Sequence, residues 1–152
     1  MKKTPWIVGA ATVCVVAVGG GGLGAGGSIF VQQGGNLTIG GGVTIADGSV
    51  QGGAGLNAGQ GYGSGIFLQG AQTLNFAPAA GQIVRISDTI ADQNGSETGY
   101  TAQTSGIRVT GAGKVQLSSV NFYSGDTIIG DSSVHTGSNG YLELTAGSGI
   151  SP

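Results

Sequence analysis

The chain has 152 residues, enough for one domain, and carries 34 glycines against 8% charged residues and 6% aromatics. Five basic and seven acidic residues leave a net charge of −2 and no basic patch, which argues against nucleic acid as a partner. Three prolines and no Gly-X-Y period exclude collagen, and a flexible Gly/Ser linker is excluded because the glycines punctuate short runs of alternating apolar residues.

The N-terminus differs in composition from the rest. Lys2 and Lys3 precede an uncharged apolar run from Trp6 to Val18, which ends in the small residues Ala17-Val18-Gly19. A basic start, an apolar centre and a small-residue end make up a secretory signal peptide. The run is short for a membrane span, which takes about 20 residues. We read residues 1–19 as an export signal, against the alternative of a stray apolar segment that forms one more strand. Cys14 lies inside this segment and is the only cysteine, so no internal disulfide is available. Residues 20–27 form a glycine-rich approach.

Residues 28–135 read as repeats. Gly27-Ser28-Ile29-Phe30-Val31 returns as Ser64-Gly65-Ile66-Phe67-Leu68 and again as Ser105-Gly106-Ile107-Arg108-Val109. Each copy carries a second triplet at fixed offsets: Leu37 and Ile39 follow Ile29, Leu74 and Phe76 follow Ile66, and Val115 and Leu117 follow Ile107. Copies start 37 and 41 residues apart, a period that belongs to solenoids and propellers. In chain order, strands are expected at 28–31, 37–39 and 43–45. The second copy gives 65–68, 73–76 and 83–86, and the third gives 106–109, 114–117 and 127–129. Ile90-Ala91-Asp92 echoes Ile45-Ala46-Asp47, and Tyr141-Leu142-Glu143-Leu144 looks like the first strand of an unfinished fourth copy within the tail at 136–152.

The triplets also indicate direction. Alternate residues of a strand face opposite sides, and the middles Thr38, Asn75 and Gln116 are polar between apolar flanks. The flanks therefore face inward. One copy cannot bury its own flanks, but stacked copies can. The expected fold is all-β: a right-handed parallel β-helix of about three rungs plus a partial fourth, with strand one stacking on strand one. A propeller would need four antiparallel strands per repeat. One outward column breaks the polar rule, namely Phe30, Phe67 and Arg108. They are expected to line up on one face about 4.8 Å apart, either gripping a partner or covered by the 50–63 loop.

The runs Gly65-Ile66-Phe67-Leu68-Gln69-Gly70, Thr73-Leu74-Asn75-Phe76-Ala77-Pro78 and Ile86-Ser87-Asp88-Thr89-Ile90-Ala91-Asp92-Gln93 resemble adhesin-like passenger domains of bacterial autotransporters. Gly111-Ala112-Gly113-Lys114-Val115-Gln116-Leu117-Ser118, followed by Asn121-Phe122-Tyr123-Ser124-Gly125-Asp126-Thr127-Ile128-Ile129, resembles their passenger-associated transport repeat. It departs from that pattern at Phe122, where threonine is usual, and at Asp126, where glycine is usual. The resemblance covers residues 20 to 135. It implies a right-handed β-helix, export, and display at the outer membrane of a bacterial cell or secretion. Nothing after Ser138 has the alternating ~10-residue strands of the family's barrel, so the expectation is a passenger piece without its barrel and without a membrane span in the mature domain.

Residues suited to catalysis are few. His135 is the only histidine and reads as an exposed turn residue, and with one remote cysteine it makes no zinc set. Asp47, Asp88, Asp92, Asp126 and Asp131 lack the nine-residue spacing of calcium repeats. Asp88 and Asp92 are the one close carboxylate pair, the signature a glycosidic-bond hydrolase or lyase would need. Aspartates in such turns more often bond their own backbone. The reading is a non-enzymatic adhesive module with no cofactor and no metal, binding through Phe30, Phe67 and Arg108. Its partner is a host-cell or extracellular glycan or protein surface, and further repeats of a longer parent can also pack on it. A carbohydrate-active β-helix is the alternative. An ice-binding solenoid ranks behind both, because Thr38, Asn75 and Gln116 are not a threonine column.

Overall fold

The structure, a computed structural model, describes residues 22–54, 58–96, 103–130, 140–145 and the backbone of 149–150. Trp6 to Val18, Cys14 and His135 lie outside the described residues. Short runs of β-branched and aromatic residues form the strands, and glycine, asparagine and aspartate form the corners between them.

In chain order, β1 (Gly24–Ala25) precedes a first pass of three strands, β2 (Ile29–Val31), β3 (Thr38–Ile39) and β4 (Thr44–Ile45). β5 (Gly61–Tyr62) lies in the long connection to the second pass, which is β6 (Ile66–Leu68), β7 (Thr73–Phe76) and β8 (Ile83–Ile86). A third pass follows with β9 (Ile90–Asp92), the one-turn helix α1 (Gln93–Ser96), β10 (Gly106–Val109) and β11 (Lys114–Leu117). Then come β12 (Val120–Asn121), β13 (Thr127–Ile129), β14 (Tyr141–Leu144) and β15 (Gly149–Ile150).

Every strand pairing among the described residues is parallel. Three sheets form the body. The first is β2-β6-β9, the second β3-β7-β10-β13 and the third β4-β8-β11-β14. The chain visits them in the same order each time, so residues far apart in sequence stack directly. Two small sheets, β1-β5 and β12-β15, flank the body. The all-β parallel character expected from the alternating runs is what the structure has.

The register of the third copy is different from the one expected. Ile29 stacks on Ile66 as predicted, but Ile66 then stacks on Ile90, in β9. Ile107 lies against Leu74, and Val115 against Val84. Tyr141 to Leu144 continues the third sheet beside β11; it does not open a new copy. The echo of Ile45-Ala46-Asp47 in Ile90-Ala91-Asp92 is a chance likeness, since Ile45 pairs with Ile86. The physical cause is one short corner. Ser87-Asp88-Thr89 turns the chain so tightly after β8 that β9 occupies the first sheet at once. The Gly106–Val109 strand therefore falls one sheet later.

The inward columns form the core. Phe76, Val84, Ile66, Ile90, Ile107, Val109, Val115 and Leu117 are all fully buried in one cluster. Thr38, Asn75 and Arg108 form the outward column of the second sheet, followed by Ile128. Thr44, Arg85, Gln116 and Glu143 form that of the third. The expectation that triplet middles point outward is met in both sheets.

Candidate functional site

On the first sheet, the outward column begins with Phe30 and Phe67, which pair in register. Their rings stack with centroids 5.7 Å apart and planes 11° from parallel. Ala91 comes next in the column, and a bridge from Ala91 to Phe122 carries it one level further. Arg108 is not in this column. It belongs to the second sheet, between Asn75 and Ile128. The expected Phe30-Phe67-Arg108 ladder is therefore corrected to an aromatic pair followed by alanine, with the arginine on another face. The short corner before β9 is again the reason.

The two phenylalanines are not equally accessible. Phe30 is 47% exposed, whereas Phe67 is 1% exposed. Phe30 covers one side of Phe67. The end of the 50–63 connection covers part of another, because a Cβ placed on Gly63 would lie 3.1 Å from the Phe67 Cβ. Gly63 has φ +65, a left-handed conformation that glycine adopts without strain, so the backbone can pass this close. Gly26, with φ +71, passes Phe30 in the same way. The site thus offers one exposed ring resting on a buried one.

The corner that follows this column is rich in amides. Gln33 donates from Nε2 to Gln103 Oε1 at 3.2 Å, and Gln103 Oε1 also accepts from the Ala71 N–H at 3.1 Å. Gln93 Oε1 accepts from the Gly70 N–H at 3.0 Å. Gln69 N–H donates to the Val31 carbonyl, extending the β2–β6 pairing by one residue so that Gln32 and Gln69 are neighbours.

Asp92 holds the inner side of the same corner. It occupies the inward column of Val31 and Leu68 and is fully buried. Its Oδ2 accepts from the Ser105 N–H (2.8 Å), the Ser124 N–H (3.0 Å) and the Ser124 hydroxyl (2.7 Å), and its Oδ1 accepts from the Gly95 N–H (2.6 Å). A buried carboxylate is tolerable only when its oxygens are satisfied in this way. One side chain thereby ties Gly95 of α1 and Ser105 to Ser124 on the next level. Asp88 sits at the opposite end of β9, where it accepts from the Gly48 N–H at 2.8 Å. The two carboxylates serve different corners, and apart from the Asp92–Gly95 contact they bond backbone from other parts of the chain and not their own turn. The role of Asp92 as a clamp for two later serines was not foreseen; an aspartate closing the Ile90-Ala91-Asp92 strand was its only signal.

Two further polar features remain, one inside and one at the surface. Asn121 is buried, and its Oδ1 accepts from the Ile90 N–H at 2.8 Å. On the third sheet, Lys114 Nζ lies 2.9 Å from Glu143 Oε2 and 5.0 Å from the centre of the Tyr141 ring. The Lys114 hydrogen bond, assisted by Gln116, holds the Glu143 carboxyl below its ordinary range, and Glu143 raises Lys114 in return. An ion pair this open to water contributes little to stability. Among the described residues, no three histidine, cysteine or acidic side chains converge as a metal set. No helix among them is long and apolar enough to cross a membrane. No family model, curated protein or solved structure matches the chain.

Proposed function

We infer that the stacked passes form a right-handed parallel β-helix of about three rungs with a partial fourth. On this reading the chain is a secreted or surface-displayed structural and adhesive module, similar to autotransporter passenger domains, and it acts by binding. Parallel strands visited in cyclic order support the coil, and right-handed crossovers are the rule for parallel connections. The single observation that carries the binding role is the Phe30 ring, 47% exposed and seated flat on Phe67. An apolar ring held rigid at the surface has lost its conformational freedom before any partner arrives, so contact with it costs less entropy. The partner is a glycan or protein surface outside the cell.

The test is adhesion. Beads coated with the chain should bind cultured cells or immobilised matrix, and Phe30→Ser should lower that binding severalfold while the melting temperature falls by only a few degrees. Arg108→Ser should adhere like the parent. Equal adhesion by Phe30→Ser and the parent would defeat the reading.

A further inference from the structure

Resting on the reading of Phe30 as the contact surface, we propose that its ligand is a neutral oligosaccharide, stacked on the ring and hydrogen-bonded by the glutamines beside it. Two independent features of one face meet here. The first is the aromatic platform, flat and supported from below. The second is the amide corner: six of the chain's ten glutamines, Gln32, Gln33, Gln69, Gln72, Gln93 and Gln103, lie on the segments that leave β2, β6 and β9.

The chemistry of the two parts is complementary. A pyranose ring has an apolar C–H face and a rim of hydroxyls that both donate and accept. An aromatic ring matches the first, and a carboxamide, with two donors and an acceptor on one group, matches the second. Gln32 is exposed, and its side chain forms no hydrogen bond with the described residues. Gln33 and Gln103 are already oriented by their mutual bond, yet Gln33 keeps its Oε1 and Gln103 its Nε2 for a ligand.

Charge decides between glycan classes. Among the described residues of this face there is no cation: Asp92 is buried with its oxygens engaged, Asp88 before β9 is half-buried and accepts from the Gly48 N–H, and Asp126 beside Gly106 is exposed. Arg108 lies on the second sheet, and Arg85, Lys114 and Glu143 lie on the third. A uronic-acid or sulfated chain would find no cation beside Phe30, whereas a neutral one leaves no charge unpaired. Moving Arg108 off the column is therefore what points to a neutral ligand.

The experiment is calorimetry on the full chain with two panels: neutral gluco-, manno- and N-acetylglucosamine oligosaccharides, and uronic-acid and sulfated oligosaccharides. At least one neutral series should bind, with affinity insensitive to salt. Phe30→Ala should weaken it roughly tenfold, Phe30→Trp should retain it, Gln32→Ala with Gln33→Ala should weaken it severalfold, and Arg108→Ala should leave it unchanged. Thermal melts of each variant confirm that it is folded. Binding confined to the acidic panel, or no glycan binding while cell adhesion still depends on Phe30, would overturn the neutral-glycan assignment and leave the adhesive reading intact. Loss of Phe30 without effect on glycans or on adhesion would remove both.

Discussion

Phe30 and Phe67 show how little a residue's type says about its role. Both are phenylalanines at the same place in a repeated motif, both face outward, and they touch each other. Replacing Phe67 with serine removes a fully buried ring and should cost about 3–5 kcal/mol, read as a large drop in the denaturation midpoint. Replacing Phe30 should cost no more than the stacking energy, about 0.5–1.5 kcal/mol. Tyr123 makes a second single-residue test. It is buried, and its hydroxyl lies 2.7 Å from the Thr127 hydroxyl. Burial raises its pKa above the ordinary phenol value, against a smaller lowering by the Thr127 bond. A group whose pKa is raised by folding contributes stability that is complete below its unfolded pKa and lost as pH rises through the folded one. Wild type should therefore lose stability above about pH 10, and Tyr123→Phe should lack that part of the loss. At neutral pH the variant should be about 1 kcal/mol weaker, through the lost hydrogen bond.

At the scale of elements, the corners set the pairing and the strands accept it. Asp92→Ala should leave the amides of Gly95, Ser105 and Ser124 without partners at one corner, each at about 1–3 kcal/mol where it remains dry. Hydrogen exchange should rise across 93–106 and 122–127 while β7 and β8 stay protected. Uniform loss of protection would mean that the clamp supports the whole fold and not one corner. Within the sheets, Ile66→Asp buries an unpaired charge between Ile29 and Ile90 and should abolish the cooperative melt, at a cost of several kcal/mol. Asn75→Asp is the contrasting case. Its neighbour in the sheet is Arg108, so the new carboxylate gains an opposite charge, worth about 0.2–1 kcal/mol. The midpoint should hold or rise slightly.

For the whole molecule, successive levels bury one another, so stability comes from the interfaces between passes and not from any one of them. Whether the chain leaves the cytoplasm is a separate question. It rests on Lys2, Lys3 and the apolar run from Trp6 to Val18. Residues 1–26 fused to a periplasm-dependent reporter should give an active and shortened product. Full-length, inactive reporter in the cytoplasm would make that run an ordinary apolar segment.

Alternation and glycine punctuation determined by themselves that this chain is all-β and which triplet residues point away from the core, because a side-chain period of two is local. That the strands stack in parallel came from the recurrence of the triplets, whose apolar flanks only stacked copies can bury. Thr38, Asn75, Arg85 and Gln116 were legible as outward on the side-chain period alone. Which sheet a strand joins was not legible, because a strand with the same in-out pattern fits any of the three. Only the tertiary structure decided it, through the length of the corner at 87–89 and the contacts of Asp92 with Ser105 and Ser124. That decision separated Arg108 from the phenylalanines and left Phe30 as the exposed ring of the aromatic pair, beside a corner of glutamines.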